Sequence, residues 1–375
     1  MNTNAFSQYF GKIEDPRQSQ KIQYPLFDIL FLTVISVISG AEGWQDIEDY
    51  GKGHLKWFQN KGLFRQGIPV HDTIARVIAS IKPTLFQQCF LDWIKAVNKL
   101  TEGELIAIDG KTLRGSYNRD QRRSTIHMVS AFSSANKLVL GQMKTSEKSN
   151  EITAIPELLK LLDIKGCLVS IDAMGCQTNI ASTIIAQEGD YLLAVKDNQP
   201  TLAKAVTATM NAHISQRIEA NEVQLEQAHG RVDIREYHVV SGEKIAHDFP
   251  EWKHIKSIGV AIGYRQPKTG KASLDYRYYI SSAALSAEQF AEAVRNHWGI
   301  ENSLHWVLDA SMNEDACQIY RGNAAENLAC VRHIALNALR KEKSNLSVRR
   351  KQKKAWMKPE YAEQVLAAGF DVSKK

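Results

Sequence analysis

Two short, nearly unbroken apolar runs, Leu105-Ile106-Ala107-Ile108 and Cys167-Leu168-Val169-Ser170-Ile171, are each followed at once by an aspartate, Asp109 and Asp172. Runs of this length without alternation suit strands buried on both faces of a sheet. A side chain just beyond such a strand leaves the packed interior while its backbone stays rigid. Ligands and catalytic groups gather there in α/β proteins for that reason. Two carboxylates delivered from neighbouring strands can hold hard divalent cations, which take oxygen ligands. The plain alternative is that Asp109-Gly110 is a turn and Asp172 a helix N-cap.

The rest of the chain supplies a frame for such a sheet. Ile126 to Ala131 and Lys137 to Met143 read as strands around the turn Ser133-Ser134-Ala135-Asn136, and Asn150 to Leu162 as a helix. Helix follows from Thr178, then a strand from Tyr191 to Val195, then a long polar helix to about Ala220. Val232 to Val240, Ile255 to Tyr264 and Leu274 to Ile280 are again strand-like, and helices return at Ala287 to Trp298 and Ala324 to Leu339. The first hundred residues are helical. An apolar segment runs from Pro25 to Gly40, an amphipathic one from Trp44 to Phe58, a third follows Asp72 as its N-cap, and a fourth starts at Pro83. A helix-turn-helix and a plain bundle fit these helices equally well. The expected class is α/β: an all-α N-terminal domain over residues 1–100 that could bind DNA, then a mixed-sheet domain over 101–345 that is β-rich at about 200–282, then a basic tail over 346–375.

Charge narrows the function. Lys and Arg number 47 against 41 acids in 375 residues, so the excess permits a nucleic-acid partner without requiring one. Lys111, Arg114, Arg119, Arg122 and Arg123 crowd the segment after Asp109, with Asp120 alone opposing them. Lys196, Asn198 and Gln199 follow another strand end, and His229 and Arg231 open the later β region. Basic residues also fill Arg340 to Lys358, where a solvated face and a phosphate contact surface are both open. A third acid would come from the C-terminal helices, where Glu301 is set among Arg295, His297 and His305 and has Asp309, Glu314 and Asp315 as rivals; His297, Glu301 and His305 share one helix face if the helix continues through Gly299. That spacing also suits a transition metal, although a polyanionic substrate favours hard ions. Five scattered cysteines make no disulfide framework. The longest predominantly apolar run, Ile29 to Ile38, is too short to span a bilayer, and no signal peptide is visible, so a soluble cytoplasmic protein without a membrane partner is expected.

Ile106-Ala107-Ile108-Asp109-Gly110-Lys111, the run from Lys148 through Asn150-Glu151-Ile152 to Pro156, and Ile171-Asp172-Ala173-Met174-Gly175-Cys176-Gln177 resemble bacterial insertion-sequence transposases of the DDE type, nearest to the Rhs-linked, H-repeat-associated subgroup. His229-Gly230-Arg231, Asn296-His297-Trp298 and Glu301-Asn302-Ser303-Leu304-His305-Trp306 fit the same pattern, as do Ile38 to Trp44 and Gly67 to Ile74. The likeness extends from about Phe10 to Tyr361.

The resemblance implies an RNase H-like fold whose acids Asp109, Asp172 and Glu301 hold Mg²⁺, with Mn²⁺ able to substitute. It also implies hydrolysis of phosphodiesters at transposon ends, followed by attack of the freed 3′ hydroxyl on target DNA. Double-stranded DNA is the implied partner, with two copies pairing the two ends and the bound protein associated with the nucleoid. Lys111, Arg114, Lys196, Asn198, Gln199, His229, Arg231, Arg295, His297 and His305 are the implied DNA contacts. The broader superfamily often places Tyr, Arg and Lys around its glutamate where this chain has Val294, His297 and Leu308. Two alternatives stand beside this: a non-catalytic DNA-binding remnant of a transposon, and a nuclease that cuts without joining.

Overall fold

In the computed structural model, which describes residues 3–116, 125–145, 151–216, 222–228, 231–319 and 321–372, one nine-stranded mixed sheet organises the chain. Its strands are β1 (Leu105–Leu113), β2 (Ile126–Ser133), β3 (Leu138–Thr145), β4 (Leu168–Ile171), β5 (Asp190–Val195), β6 (Glu222–Ala228), β7 (Arg231–Ser241), β8 (Ser257–Pro267) and β9 (Ser273–Ser281). They lie in the order 3-2-1-4-5-9-8-7-6. β4 runs parallel to both β1 and β5; every other pairing is antiparallel.

The apolar runs take the sheet centre as expected: Ile106, Ala107, Ile108, Val169 and Ile171 are all buried. One expectation is corrected. β1 does not end at Asp109 but continues to Leu113, because β2 pairs with it over the whole distance. Only the pairing with β4 stops, at Ile108–Ile171. Asp109 therefore stands in mid-strand, where one of two neighbours falls away. Strands β7 to β9 match the expected β region, and they extend the same sheet through β5 and β9. β6 was not anticipated, because its EVQLEQA alternates only two apolar side chains with polar ones.

The helices are α1 (Thr3–Phe10), α2 (Leu26–Ile38), α3 (Trp44–Gly53), α4 (Leu55–Gln59), α5 (His71–Ser80), α6 (Pro83–Val97), α7 (Glu151–Leu161), α8 (Thr178–Ala186), α9 (Pro200–Ser215), α10 (Glu243–Asp248), α11 (Ala287–His297), α12 (Trp306–Met312), α13 (Ala324–Lys341), α14 (Val348–Met357) and α15 (Pro359–Phe370). The expected amphipathic helix over 44–58 breaks at His54 into α3 and α4. Asp72 lies inside the first turn of α5 and is not its cap; the Glu48 carboxylate accepts from the His71 backbone N–H instead, at 2.6 Å.

α2 is apolar on nearly every side, and such a helix must be enclosed. It packs on α13, itself buried along most of its length, and α13 also covers edge strand β3. There Asn337 behaves like a strand neighbour: its Oδ1 accepts from the Val139 N–H and its Nδ2 donates to the Val139 carbonyl, both at 2.9 Å. Both Val139 backbone groups are thereby satisfied on an edge that would otherwise invite another chain. Asn327 Nδ2 donates to the carbonyls of Ile78 and Ile81, fixing α13 to the end of α5.

Residues 346–375, read from the sequence as a basic tail, contain α14 and α15. The apolar side of α15 outweighs the neighbouring charge run: Val365, Leu366 and Phe370 enter the same core as Phe6, Phe10 and Trp93. Phe370 stacks on Trp93 at 4.8 Å and meets Phe6 edge-on at 5.6 Å. No helix among the described residues is long and apolar enough to cross a membrane. Phe370→Ala should lower unfolding free energy by about 3–5 kcal/mol in urea titrations; a change within ~0.5 kcal/mol would show that α15 is not part of the core.

Candidate active site

Because parallel pairing stops at Ile108–Ile171, Asp109 and Asp172 are the next residues on adjacent strands. Both face a cleft of about 180 Å³ whose walls include Glu301, Lys196, Arg277, His297 and Trp298. Lys196 follows β5, the next parallel strand, and Arg277 lies on β9 beyond it. The three candidate acids thus share one cleft, drawn from the middle of β1, the end of β4 and one helical turn.

Asp109 is strongly perturbed by its surroundings. Its Oδ1 accepts from the Gly110 N–H at 2.9 Å. Burial nonetheless pushes its carboxyl up to about 7, with the charges of Asp172, Glu301 and Glu151 adding to the rise and the Gly110 bond opposing it. Glu151 begins α7 and is buried in an ion pair with His127, whose Nδ1 lies 2.9 Å from Thr112 Oγ1. A Cβ on Gly110 would collide with both the Glu151 carboxylate and the His127 ring. Glycine is required there by close approach. Glu151 was visible in the sequence only as part of a motif, because nothing local marks a helix-starting acid as buried.

Asp172 Oδ1 accepts the backbone N–H groups of Met174 and Gly175 at 3.0 and 3.2 Å, which folds the turn after β4. Asn198 and Gln199 hold that turn from the other side, donating to the Ala173 carbonyl at 2.6 Å and the Cys176 carbonyl at 3.0 Å. Their amides are therefore engaged with the Asp172 turn. Glu301 is exposed and opens a five-residue π-helical turn, Glu301–His305, joined to α12. π turns inside helices recur at functional sites. Here the wider turn, with the break at Trp298, sends the two flanking imidazoles to different places instead of along one face.

His297 Nδ1 lies 3.0 Å from Ser170 Oγ on β4, and burial lowers its pKa. It lines the cleft as a neutral ring. His305 Nδ1 lies 3.6 Å from Asp109 Oδ2, and burial lowers its pKa to about 4, with nearby Lys111 adding to the drop. At neutral pH it offers Asp109 no compensating charge.

Lys111, expected to meet a phosphate, points the other way. Its ammonium pairs with Asp309 at 2.5 Å, Glu314 at 2.8 Å and Asp315 at 3.1 Å, in a nearly buried cluster. This ties β1, two residues past Asp109, to α12 and the turn after it. Arg114 is largely exposed, 3.5 Å from Asp315. Arg295 lies outside the acidic cleft, in an adjoining groove of about 520 Å³ shared with Arg235, Arg265 and Asn302; Arg277 and Trp298 line both. Arg277 sits 4.2 Å over the Trp298 ring, and only the β8–β9 register, not its sequence position, marked it for the site. Arg231 opens β7, described by its backbone alone; His229, Arg119, Asp120, Arg122, Arg123 and the Lys148–Asn150 end of the motif lie outside the described residues.

The donor set suits a hard divalent cation: carboxylate oxygens, with those of Asp109 and Asp172 half-buried. Among the described residues no three acids, imidazoles or thiols stand close enough together to cage an ion unaided.

Comparison with known proteins agrees with this picture. The family described as transposase DDE domain matches residues 101–338, and one described as DDE_Tnp_1-associated matches residues 7–94. The chain is 49% identical over 374 residues to "H repeat-associated putative transposase YhhI" of Escherichia coli strain K12, covering 98% of this chain and 99% of that protein. It is 48% identical over 375 residues to "Putative transposase YncI" of Escherichia coli O157:H7, covering 98% and 96%. Among solved structures, a piggyBac transposase synaptic complex with hairpin DNA aligns at a TM-score of 0.42 and 12% identity, over 98% of this chain and 76% of that one, too loosely to argue from.

Two stability measurements follow. Lys111→Met strands buried Glu314 and its companions, so unfolding free energy should fall by about 3–5 kcal/mol; an unchanged value would mean the cluster is solvated. Asp109 holds a proton more tightly folded than unfolded, so in EDTA stability should decline as pH rises from 3.8 toward about 7. Asp109→Asn should remove that decline and melt higher than the parent at pH 8. Parallel pH profiles for the two proteins would contradict the burial of the charge.

Proposed function

The chain belongs to the transposase DDE domain family, and on that premise we propose that it cuts DNA at transposon ends and joins the freed 3′ ends to target DNA, using Asp109, Asp172 and Glu301 at one site. The observation that carries this is the β1–β4 register, which makes Asp109 and Asp172 neighbours at the mouth of a cleft that Glu301 also lines. An RNase H-like catalytic fold is supported by the 3-2-1-4-5 order of the first five strands, with β2 antiparallel to β1 and β3 and with β4 parallel to β1 and β5. In this proposal residues 101–345 form the catalytic unit, with strands of the 200–282 insertion prolonging its sheet, and the helices of residues 1–100 form the other.

Asp109, Asp172 and Glu301 would hold Mg²⁺, with Mn²⁺ as a substitute. When bound, the ion supplies positive charge that stabilises the phosphate in its crowded transition state and makes water, or a 3′ hydroxyl, a stronger acid. The chain's own groups do the placing. Lys196 and Arg277 line the same cleft and would meet non-bridging phosphate oxygens there. His297, kept neutral by burial and hydrogen-bonded to Ser170, orients without adding charge. Asn198 and Gln199 fix the turn bearing Asp172, and the Lys111 cluster fixes β1 against the helix that follows Glu301. In the first reaction water's oxygen bonds to phosphorus and the 3′ oxygen leaves. In the second, that 3′ oxygen bonds to a target phosphorus and displaces another. Two copies, one on each end, would keep the ends together between these steps.

The test uses DNA carrying the ends of the protein's own element, incubated with Mg²⁺, Mn²⁺ or EDTA. Metal-dependent nicking and joined products are expected. Asp109→Asn, Asp172→Asn and Glu301→Gln should each cut at least roughly 10³-fold more slowly, with duplex affinity kept. Cutting without joined products would leave a nuclease. Tight binding without cutting under any metal would remove the role given to the three acids.

A further inference from the structure

We propose that the exposed face of α14 is a second contact surface for the DNA duplex backbone, separate from the acidic cleft. The proposal deepens the DNA-processing role above and rests on it for its choice of partner.

α14 is amphipathic in an unusual sense, because its two sides are separated by use and not by polarity. Val348, Lys351, Gln352 and Ala355 fall on one arc and face the protein. Lys351, although a lysine, is buried; its Nζ donates to the Leu339 and Glu342 carbonyls at 2.8 and 2.6 Å and pairs with the Glu342 carboxylate at 3.1 Å, closing the end of α13. The opposite arc holds Arg349, Arg350 and Lys353, all exposed, and no carboxylate among the described residues lies within ion-pair distance of them. Arg349 and Lys353 are one turn apart, about 6 Å along the axis, while a duplex offers a phosphate every ~1.7 Å of its own axis.

A second observation points to an anion. Ser347 caps the helix, its hydroxyl accepting from the Arg350 N–H, and the first turn that follows contains two arginines and no acid. Helix N-termini are partly positive and normally carry carboxylates. This helix places like charge on like charge and supplies no counter-charge of its own. The far end is held still: Trp356 packs 5.4 Å from Tyr50, and its carbonyl lies 2.9 Å from His54 Nε2. Trp356 and Met357 expose 37% and 70% of their surface at that end of the arc. Two apolar groups beside three cations suit sugar–phosphate contacts better than insertion into lipid, which needs a broad apolar face. No α14 residue lines the acidic cleft.

The experiment uses the full chain in EDTA with a random-sequence duplex, measuring affinity by fluorescence anisotropy over a range of salt. The triple variant Arg349→Gln, Arg350→Gln, Lys353→Gln should bind about 10- to 100-fold more weakly at low salt, with the slope of log K against log salt reduced by about 2 to 3. Its melting temperature should match the parent, and the charge-preserving variant R349K/R350K/K353R should keep the slope. Unchanged affinity and slope in the triple variant would overturn the proposal. So would loss of binding to phosphatidylserine vesicles with duplex binding intact, which would make the face a lipid contact. Cleavage is scored separately. An altered slope without any cutting would sink the catalytic proposal alone, and normal cutting with an unaltered slope would sink this one alone.

Discussion

The pairing of Ile108 with Ile171 decides what this protein can be. Because β1 and β4 run parallel and part company at that step, their next residues, both aspartates, must open into the same space. Burial disfavours the charged form of Asp109, the charges of Asp172 and Glu301 beside it add to that, and its raised pKa records both. The imidazoles that approach, His297 and His305, are kept neutral by burial, and Lys111, two residues past Asp109, is turned away into its own carboxylates. The site gathers three carboxylates in one cleft whose walls also carry Lys196 and Arg277.

The surrounding framework exists to keep that arrangement from relaxing. Asn198 and Gln199 hold the turn that carries Asp172, and the Lys111 cluster binds β1 to the segment following the π turn. Behind these, α13 fills the space between β3 and the N-terminal helices, and Asn337 and Asn327 lock it at two points. The aromatic contacts of Phe370 close the assembly from the C-terminal side. Strain at the cleft is thus backed by a continuous core running from Phe6 to Phe370.

Much of this was legible in the sequence, for a physical reason. Apolar runs followed by Asp109 and Asp172 are local signals, and so are the hairpin around Asn136 and the helices of the first hundred residues. What stayed hidden depends on contacts between distant segments. Lys111 looked like a phosphate ligand because its partners Asp309, Glu314 and Asp315 lie far along the chain. Arg277 gave no sign and Glu151 showed only as part of a motif, since only the sheet register and the approach of α7 bring them near the acids. The stretch after Arg340 looked like a tail because its charges outnumber its apolar residues, yet Val365, Leu366 and Phe370 recur at helical spacing and carry α15 into the core. β6 escaped because an edge strand can be mostly polar.

The central claim is that the carboxylates of Asp109 and Asp172 hold a divalent ion during the reaction. Exchanging one ligand's hardness tests it most directly, because a thiolate favours softer ions over Mg²⁺. Asp172→Cys, assayed on end-bearing DNA, should retain duplex binding, lose cutting with Mg²⁺, and recover a substantial part of it with Mn²⁺. Equal cutting by parent and variant in Mg²⁺, or binding without any recovery in Mn²⁺, would contradict an ion held by these side chains.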